Sequence, residues 1–207
     1  MEDFIELLLQ GIPESNLQLP DPSLIQEFKD LRNRVIWIDC EIKDGLLDIV
    51  SKIIEWNRED KAISPENRQP IKIFFNSPGG DLDIEETLVS MIRLSKTPVY
   101  GFALGMVASA ASLIYLSCHK RFALPNAYFI LHRGSCQNMG GNYNEIAAAM
   151  EDYKQQVEKM EKFYIENTLY TEEEVHKNIA TDWYIRGDEL LKKGIVNEWV
   201  EDISVML

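Results

Sequence analysis

Reactive and basic side chains are scarce in this chain. Its 207 residues hold three histidines and three cysteines. The cysteines, Cys40, Cys118 and Cys136, are odd in number and far apart, the pattern of reduced thiols rather than of a disulfide framework. Cys118 and His119 are adjacent, His176 has no obvious partner, and no CxxC or HExxH spacing occurs, so neither a metal site nor a cofactor is expected. Lysine and arginine total 21 against 34 acids, a formal net charge of −13. Such a surface repels phosphate backbones, so nucleic acid is not an expected partner. No apolar run approaches a membrane span, and "MEDFIELLLQGIPESN" places acids where a secretory signal has bases. Neither membrane insertion nor export is expected, and the cytoplasm is the expected location. Internal repeats and low-complexity tracts are also missing.

What is present is enough apolar sequence, 45% of the residues, to bury one substantial core. Residues 1–32, with two prolines in "QLPDPSL" and no clean periodicity, read as an N-terminal arm, and 33–207 as the folded domain. "RVIWID" reads as a strand, and "GLLDIVSKIIEW" as a helix with apolar residues at helical spacing. "IKIFF" is a second strand, followed by the breaker-rich turn "NSPGGD" and the helix "LDIEETLVSMIRL". "PVYGFAL" is a third strand, "GMVASAASLIYLS" the helix behind it, and "AYFILH" a fourth strand. Alternating strands and helices predict an α/β fold with parallel pairing. From Tyr143 to Asn167 a heptad-like stripe (Ile146, Met150, Tyr153, Val157, Met160, Tyr164) predicts a long helix over about 142–168. At roughly 37 Å it is too long for a small domain to cover, so part of its stripe is expected to meet another subunit.

Two strand-to-helix junctions carry candidate chemistry. Ser109, in "GMVASAASLIYLS", reads either as a core-helix serine bonded back to a carbonyl one turn earlier or as a nucleophile at a helix start. In "NSPGGD", Gly79 and Gly80 allow a sharp turn whose amides point at an anion, and the free N–H of Ala110 could face the same oxygen. Two such donors would form an oxyanion hole. The general base this requires has one good candidate, His132, at the end of the apolar strand "AYFIL".

These segments, with "RFALPNAYFILH" and "ATDWYIRGDELLKKGIVNEWV", resemble the proteolytic subunit family of the Clp proteases, ClpP, from about Arg34 onward. The resemblance implies a ClpP/crotonase-type α/β fold of repeated β-β-α units with a long protruding handle helix. Position by position it places the nucleophile on Ser109, the base on His132 and the orienting acid on Asp182, with the Gly80 and Ala110 amides as oxyanion donors. It further implies an ATP-dependent serine endopeptidase, a homo-oligomer of stacked heptameric rings, an AAA+ unfoldase partner, and protein or peptide substrates.

The chain departs from the family pattern at several points. Val107 replaces an alanine, and Arg133 and Gly134 replace the glutamine and proline that usually follow the histidine. "SCQNMGGNYNEI" keeps only a glycine pair, and the lead-in "EFKDLRN" is unlike the usual one. Of the family's aromatic docking pocket, Phe74 and Phe122 are matched, while Lys72 stands at a usually aromatic position. Other readings are a catalytically weak or inactive ring or regulatory subunit, a serine-lysine peptidase using Lys72, and a crotonase-type CoA enzyme that would not need Ser109.

Overall fold

The computed structural model describes residues 21–134 and 140–207. Residues 1–20 of the expected arm, and Cys136, lie outside the described residues. The chain divides into two compact units between Asn33 and Arg34. In the first, "PSLIQEFKDLR" forms a helix where no periodicity had signalled one. This helix, α1 (Pro22–Arg32), is started by proline in its first turn and by the Asp21 carboxylate accepting from Ser23 N–H at 2.9 Å.

The second unit is a seven-stranded sheet with helices packed against it. Its elements are β1 (Val35–Ile38), α2 (Asp48–Glu59), β2 (Ile71–Ser77), α3 (Leu82–Leu94), β3 (Val99–Ala108) and α4 (Ala110–Leu116). Then come β4 (Lys120–Ala123), β5 (Tyr128–Leu131), α5 (Tyr143–Asn167), α6 (Glu172–Asn178), β6 (Trp183–Arg186), α7 (Glu189–Lys192) and β7 (Glu198–Trp199). The order β1-β2-β3-β4-β7 is parallel throughout. Strands β2 and β3 read as nearly unbroken apolar runs because both faces are covered: Ile71, Ile73, Phe75, Phe102 and Ala103 are all fully buried.

The sheet forks at β3. Its first half, Tyr100–Ala103, pairs with β4, and its second half, Met106–Ala108, pairs with β5. The expected helix over 105–117 therefore begins only at Ala110, because Gly105–Ala108 prolong the strand to reach β5. On the other side of β3 the register slips between Phe75 and Ser77, where Asn76 Oδ1 accepts from Met106 N–H at 3.1 Å. A Cβ at Gly105 would lie 2.6 Å from that Asn76 oxygen, so a larger residue there would have to displace the Asn76 side chain from this hydrogen bond. Pairing is not wholly parallel as expected, since β6 runs antiparallel to β5.

Helix α5 spans the residues its stripe predicted and starts on a capping box between Asn142 and Glu145. Its buried residues lie in its second half, Met160 and Tyr164, with the Tyr164 hydroxyl 3.1 Å from Ser112 Oγ on α4. Tyr143, Ile146 and Met150 are exposed. No helix among the described residues is long and apolar enough to cross a membrane.

Candidate active site

The site is assembled from the C-terminal ends of three neighbouring strands. At the end of β2, Ser77 Oγ donates to the Cys40 carbonyl at 2.5 Å and accepts from Gly79 N–H at 3.2 Å. The chain then turns through Gly79 at φ +90° and Gly80 at φ +152°, values that L side chains avoid. The turn is pinned by Ile42, whose N–H donates to the Gly79 carbonyl at 2.9 Å and whose carbonyl accepts from Asp81 N–H at 3.0 Å. Asp81 in turn caps α3, accepting from the amides of Asp83 and Ile84. This bracing holds Gly80 at the edge of the cleft.

At the end of β3 stands Ser109, with φ 51° and ψ −128°, one of two non-glycine residues at positive φ among the described residues. Strain of this kind costs on the order of 1–3 kcal/mol and must be held by its surroundings. Here Ser109 N–H donates to the Ile130 carbonyl of β5 at 2.9 Å, and its carbonyl accepts from Ser112 N–H at 2.8 Å and Ser112 Oγ at 2.6 Å. The back-bonded serines are thus Ser112 and Ser117, whose Oγ reaches the Ile114 carbonyl. Ser109 lies on the sharp turn between strand and helix. Ala110, next in the chain, opens α4, where its N–H has no intrahelical acceptor. The two junctions touch: a Cβ on Gly79 would come within 2.6 Å of the Ala108 carbonyl, 2.7 Å of Ser109 Cβ and 2.9 Å of Ala110 N.

At the end of β5, His132 Nδ1 lies 3.1 Å from Asp182 Oδ1. The antiparallel ladder explains the meeting. Its last pair is Leu131 with Trp183, so the next residues along each strand, His132 and Asp182, face one another. A neutral imidazole donating from Nδ1 to this carboxylate presents an unprotonated Nε2. That Nε2 is enclosed and has no hydrogen-bond partner among the described residues, so Ser109 and His132 share the cleft without a hydrogen bond between them. Ser109, His132 and Gly80 line one cavity of about 730 Å³, together with Asp152 and Tyr153 of α5.

The other histidines lie elsewhere. His119 Nδ1 accepts from Val99 N–H at 3.0 Å, and His176 sits exposed on α6. Lys72 is buried at the opposite end of β2, where Nζ donates to the Met206 carbonyl at 3.3 Å, and it does not line the cleft. Beside it Phe74, Phe102 and Phe122 form a buried cluster, with Phe102 and Phe122 stacked at 4.8 Å and Met206 packed against it.

Residues 24–202 match the Clp protease family. The chain belongs to that family. The ATP-dependent Clp protease proteolytic subunit 2 of Treponema denticola is 32% identical to it over 180 residues, covering 86% of each chain. The ATP-dependent Clp protease proteolytic subunit of Streptococcus mutans is 27% identical, covering 83% of this chain and 87% of its own. Among solved structures, a point mutant of ClpP1 from Listeria monocytogenes superposes with a TM-score of 0.74 at 28% identity, over 89% of this chain and 99% of that one. The fold is that of ClpP, and the forked sheet with its long helix is this Clp protease family member's version of it.

Sequence reasoning missed two groups near this site. Arg133 had registered only as a departure from the family pattern, yet it bonds to both α5 and α6. Glu85, 5% exposed, lies in line with Leu88 and Ile92 on the buried face of α3, and that spacing could have revealed it.

Proposed function

We propose that this Clp family member is a serine endopeptidase subunit in which Ser109 attacks the peptide carbonyl, His132 moves the proton and Asp182 orients His132. The observation that carries the reading is the His132–Asp182 pair, with Nδ1 3.1 Å from the carboxylate and Nε2 without a hydrogen-bond partner among the described residues, in a residue that lines the same cleft as Ser109. In this reading Nε2 takes the Ser109 proton as Oγ bonds to the carbonyl carbon, and His132 then returns that proton to the leaving amine. A water activated by the same nitrogen releases the acyl group. The amides of Gly80 and Ala110 receive the developing oxyanion, and losing one such donor costs about 3–4 kcal/mol of transition-state stabilisation. Hydrogen bonds between nucleophile and base commonly close only around bound substrate.

The first half of α5, carrying exposed Tyr143, Ile146 and Met150, supports assembly of this subunit into stacked heptameric rings that enclose the sites. An ATP-driven AAA+ unfoldase would deliver protein or peptide substrates. The odd number and wide spacing of the cysteines fit a cytoplasmic setting. A second reading, a ring subunit with weak catalysis of its own, is favoured by Arg133 and Gly134 standing where the family's glutamine and proline usually follow the histidine. Hydrolysis of a fluorogenic peptide by the purified oligomer, abolished in Ser109→Ala, is the expected result. Activity only after mixing with another Clp subunit would favour the second reading.

A further inference from the structure

The residue that follows the proposed base joins three elements. Arg133 donates its backbone N–H to the Ile179 carbonyl just past α6 at 3.0 Å, its Nη2 to the His176 carbonyl at 2.9 Å, and its Nε to Glu161 Oε1 on α5 at 3.1 Å. Glu161 Oε1 also lies 3.2 Å from His176 Nδ1, and Arg133 Nη2 lies 3.2 Å from the same ring nitrogen, so the three side chains form one cluster. One residue further on, the Gly134 carbonyl accepts from the Tyr153 hydroxyl of α5 at 3.2 Å. Both residues after His132 are therefore held by the long helix.

This bracing sits where the sheet stops. The β5–β6 ladder ends at Leu131–Trp183, one step short of His132 and Asp182. The Asp182 side chain is 58% exposed, and a single polar contact open to water to that degree does not hold two side chains in register by itself. Orientation has to come from the backbone on either side. On the histidine side it comes from Arg133. On the aspartate side the chain runs from Ile179 through Ala180 and Thr181 to Asp182, and Arg133 grips Ile179 and His176. A guanidinium fork can hold the Glu161 carboxylate and the His176 carbonyl together in a fixed plane, which an ammonium cannot.

We infer that Arg133 is a positioning residue: through Glu161 and the His176 carbonyl it sets the His132–Asp182 geometry and makes that geometry depend on how α5 is seated. The inference rests on the catalytic reading above. Because α5 carries the exposed stripe proposed to meet another copy, seating of the helix on assembly reaches the base through this arginine.

The test uses the full chain carrying Arg133→Ala, Arg133→Lys, Glu161→Gln, or the paired reversal of Arg133→Glu with Glu161→Arg. Measurements are kcat and KM on a fluorogenic peptide, oligomer size, and ¹⁵N-histidine spectra, which with three histidines in the chain resolve the tautomer of His132 whether or not the protein is active. Arg133→Ala and Glu161→Gln should lower kcat about tenfold or more with KM and oligomer size held, since small displacements of reacting groups cost this much. The His132 Nδ1–H signal should shift or broaden with them. Arg133→Lys should recover part of the loss, and the paired reversal should outperform Arg133→Glu alone. The inference is overturned if Glu161→Gln and Arg133→Ala both keep the parental kcat and His132 signal, or if activity falls only in step with loss of folded oligomer. An inactive parent chain would instead refute the catalytic reading, and the His132 signal would still decide the inference.

Discussion

His132 and Asp182 face each other one step beyond the last rung of the β5–β6 ladder, Nδ1 at 3.1 Å from Oδ1. The pairing of two short strands, not a loop that happens to pass by, brings the proposed base and its proposed orienting acid together. Replacing Asp182 with asparagine keeps the shape but lets the amide donate to Nδ1, which favours the tautomer with the proton on Nε2. The expected result is a fall in kcat of about 10³-fold or more, with melting temperature and oligomer size unchanged. A variant retaining more than a tenth of the parental kcat would remove Asp182 from the mechanism.

Gly79 tests the contact between the two junctions. An alanine there would be strained at φ +90° and would press its Cβ against the Ala108 carbonyl, Ser109 and the Ala110 amide. Gly79→Ala should destabilise the fold by about 1–3 kcal/mol and lower kcat beyond the fraction unfolded, because the turn moves relative to Ser109. Unfolding curves and kinetics on the same preparation separate the two effects.

Glu85 predicts a pH dependence of stability. Burial, reinforced by the neighbouring Glu86 charge, pushes its carboxyl up to about 8 from 4.5. It lines a cavity of about 260 Å³ between α3, α4 and α5. The folded state therefore keeps a proton that the unfolded chain releases. Stability contributed by this group is present below pH 4.5, declines as pH rises toward 8 and is gone above it, a change of a few kcal/mol. Glu85→Gln should flatten that decline, raising the melting temperature at about pH 8.5 relative to the parent and leaving it nearly equal at about pH 5. Parallel melting curves for the two proteins across this range would count against a buried, protonated Glu85.

The outer half of α5 predicts the assembly. Met150→Glu with Ile146→Glu puts two charges into a stripe where each buried apolar side chain contributes about 1.5–3 kcal/mol. Native mass spectrometry should show the double variant as smaller species than the parent, with the His132–Asp182 region folded. A parent that is monomeric, or a variant that assembles equally, would place the stripe in solvent.

Much of this architecture could be read from the chain because burial and periodicity coincide. β2 carries the apolar run Ile73–Phe75 because both its faces are covered, and α5 keeps its stripe along a helix of 25 residues. The strands that complete the site were harder to see. β4 and β6 are four residues each, and β7 is two, too short to express a period. β3 runs on through "GMVA" because it must reach β5, a tertiary demand that no local propensity records. Ser109 and Gly80 could be chosen from turn chemistry, and His132 from its place at a strand end. Asp182 could be chosen only by resemblance, since its role depends on a strand register. Arg133 and Glu161 are 28 residues apart, and nothing local joins them.

The central claim is that Ser109 is an activated nucleophile. Mass spectrometry of the assembled chain after treatment with a fluorophosphonate tests it most directly. One covalent adduct per subunit, mapped to Ser109 and lost in both Ser109→Ala and His132→Ala, is the predicted result. An assembled, folded oligomer that gains no adduct at Ser109, or gains it equally without His132, would contradict the account.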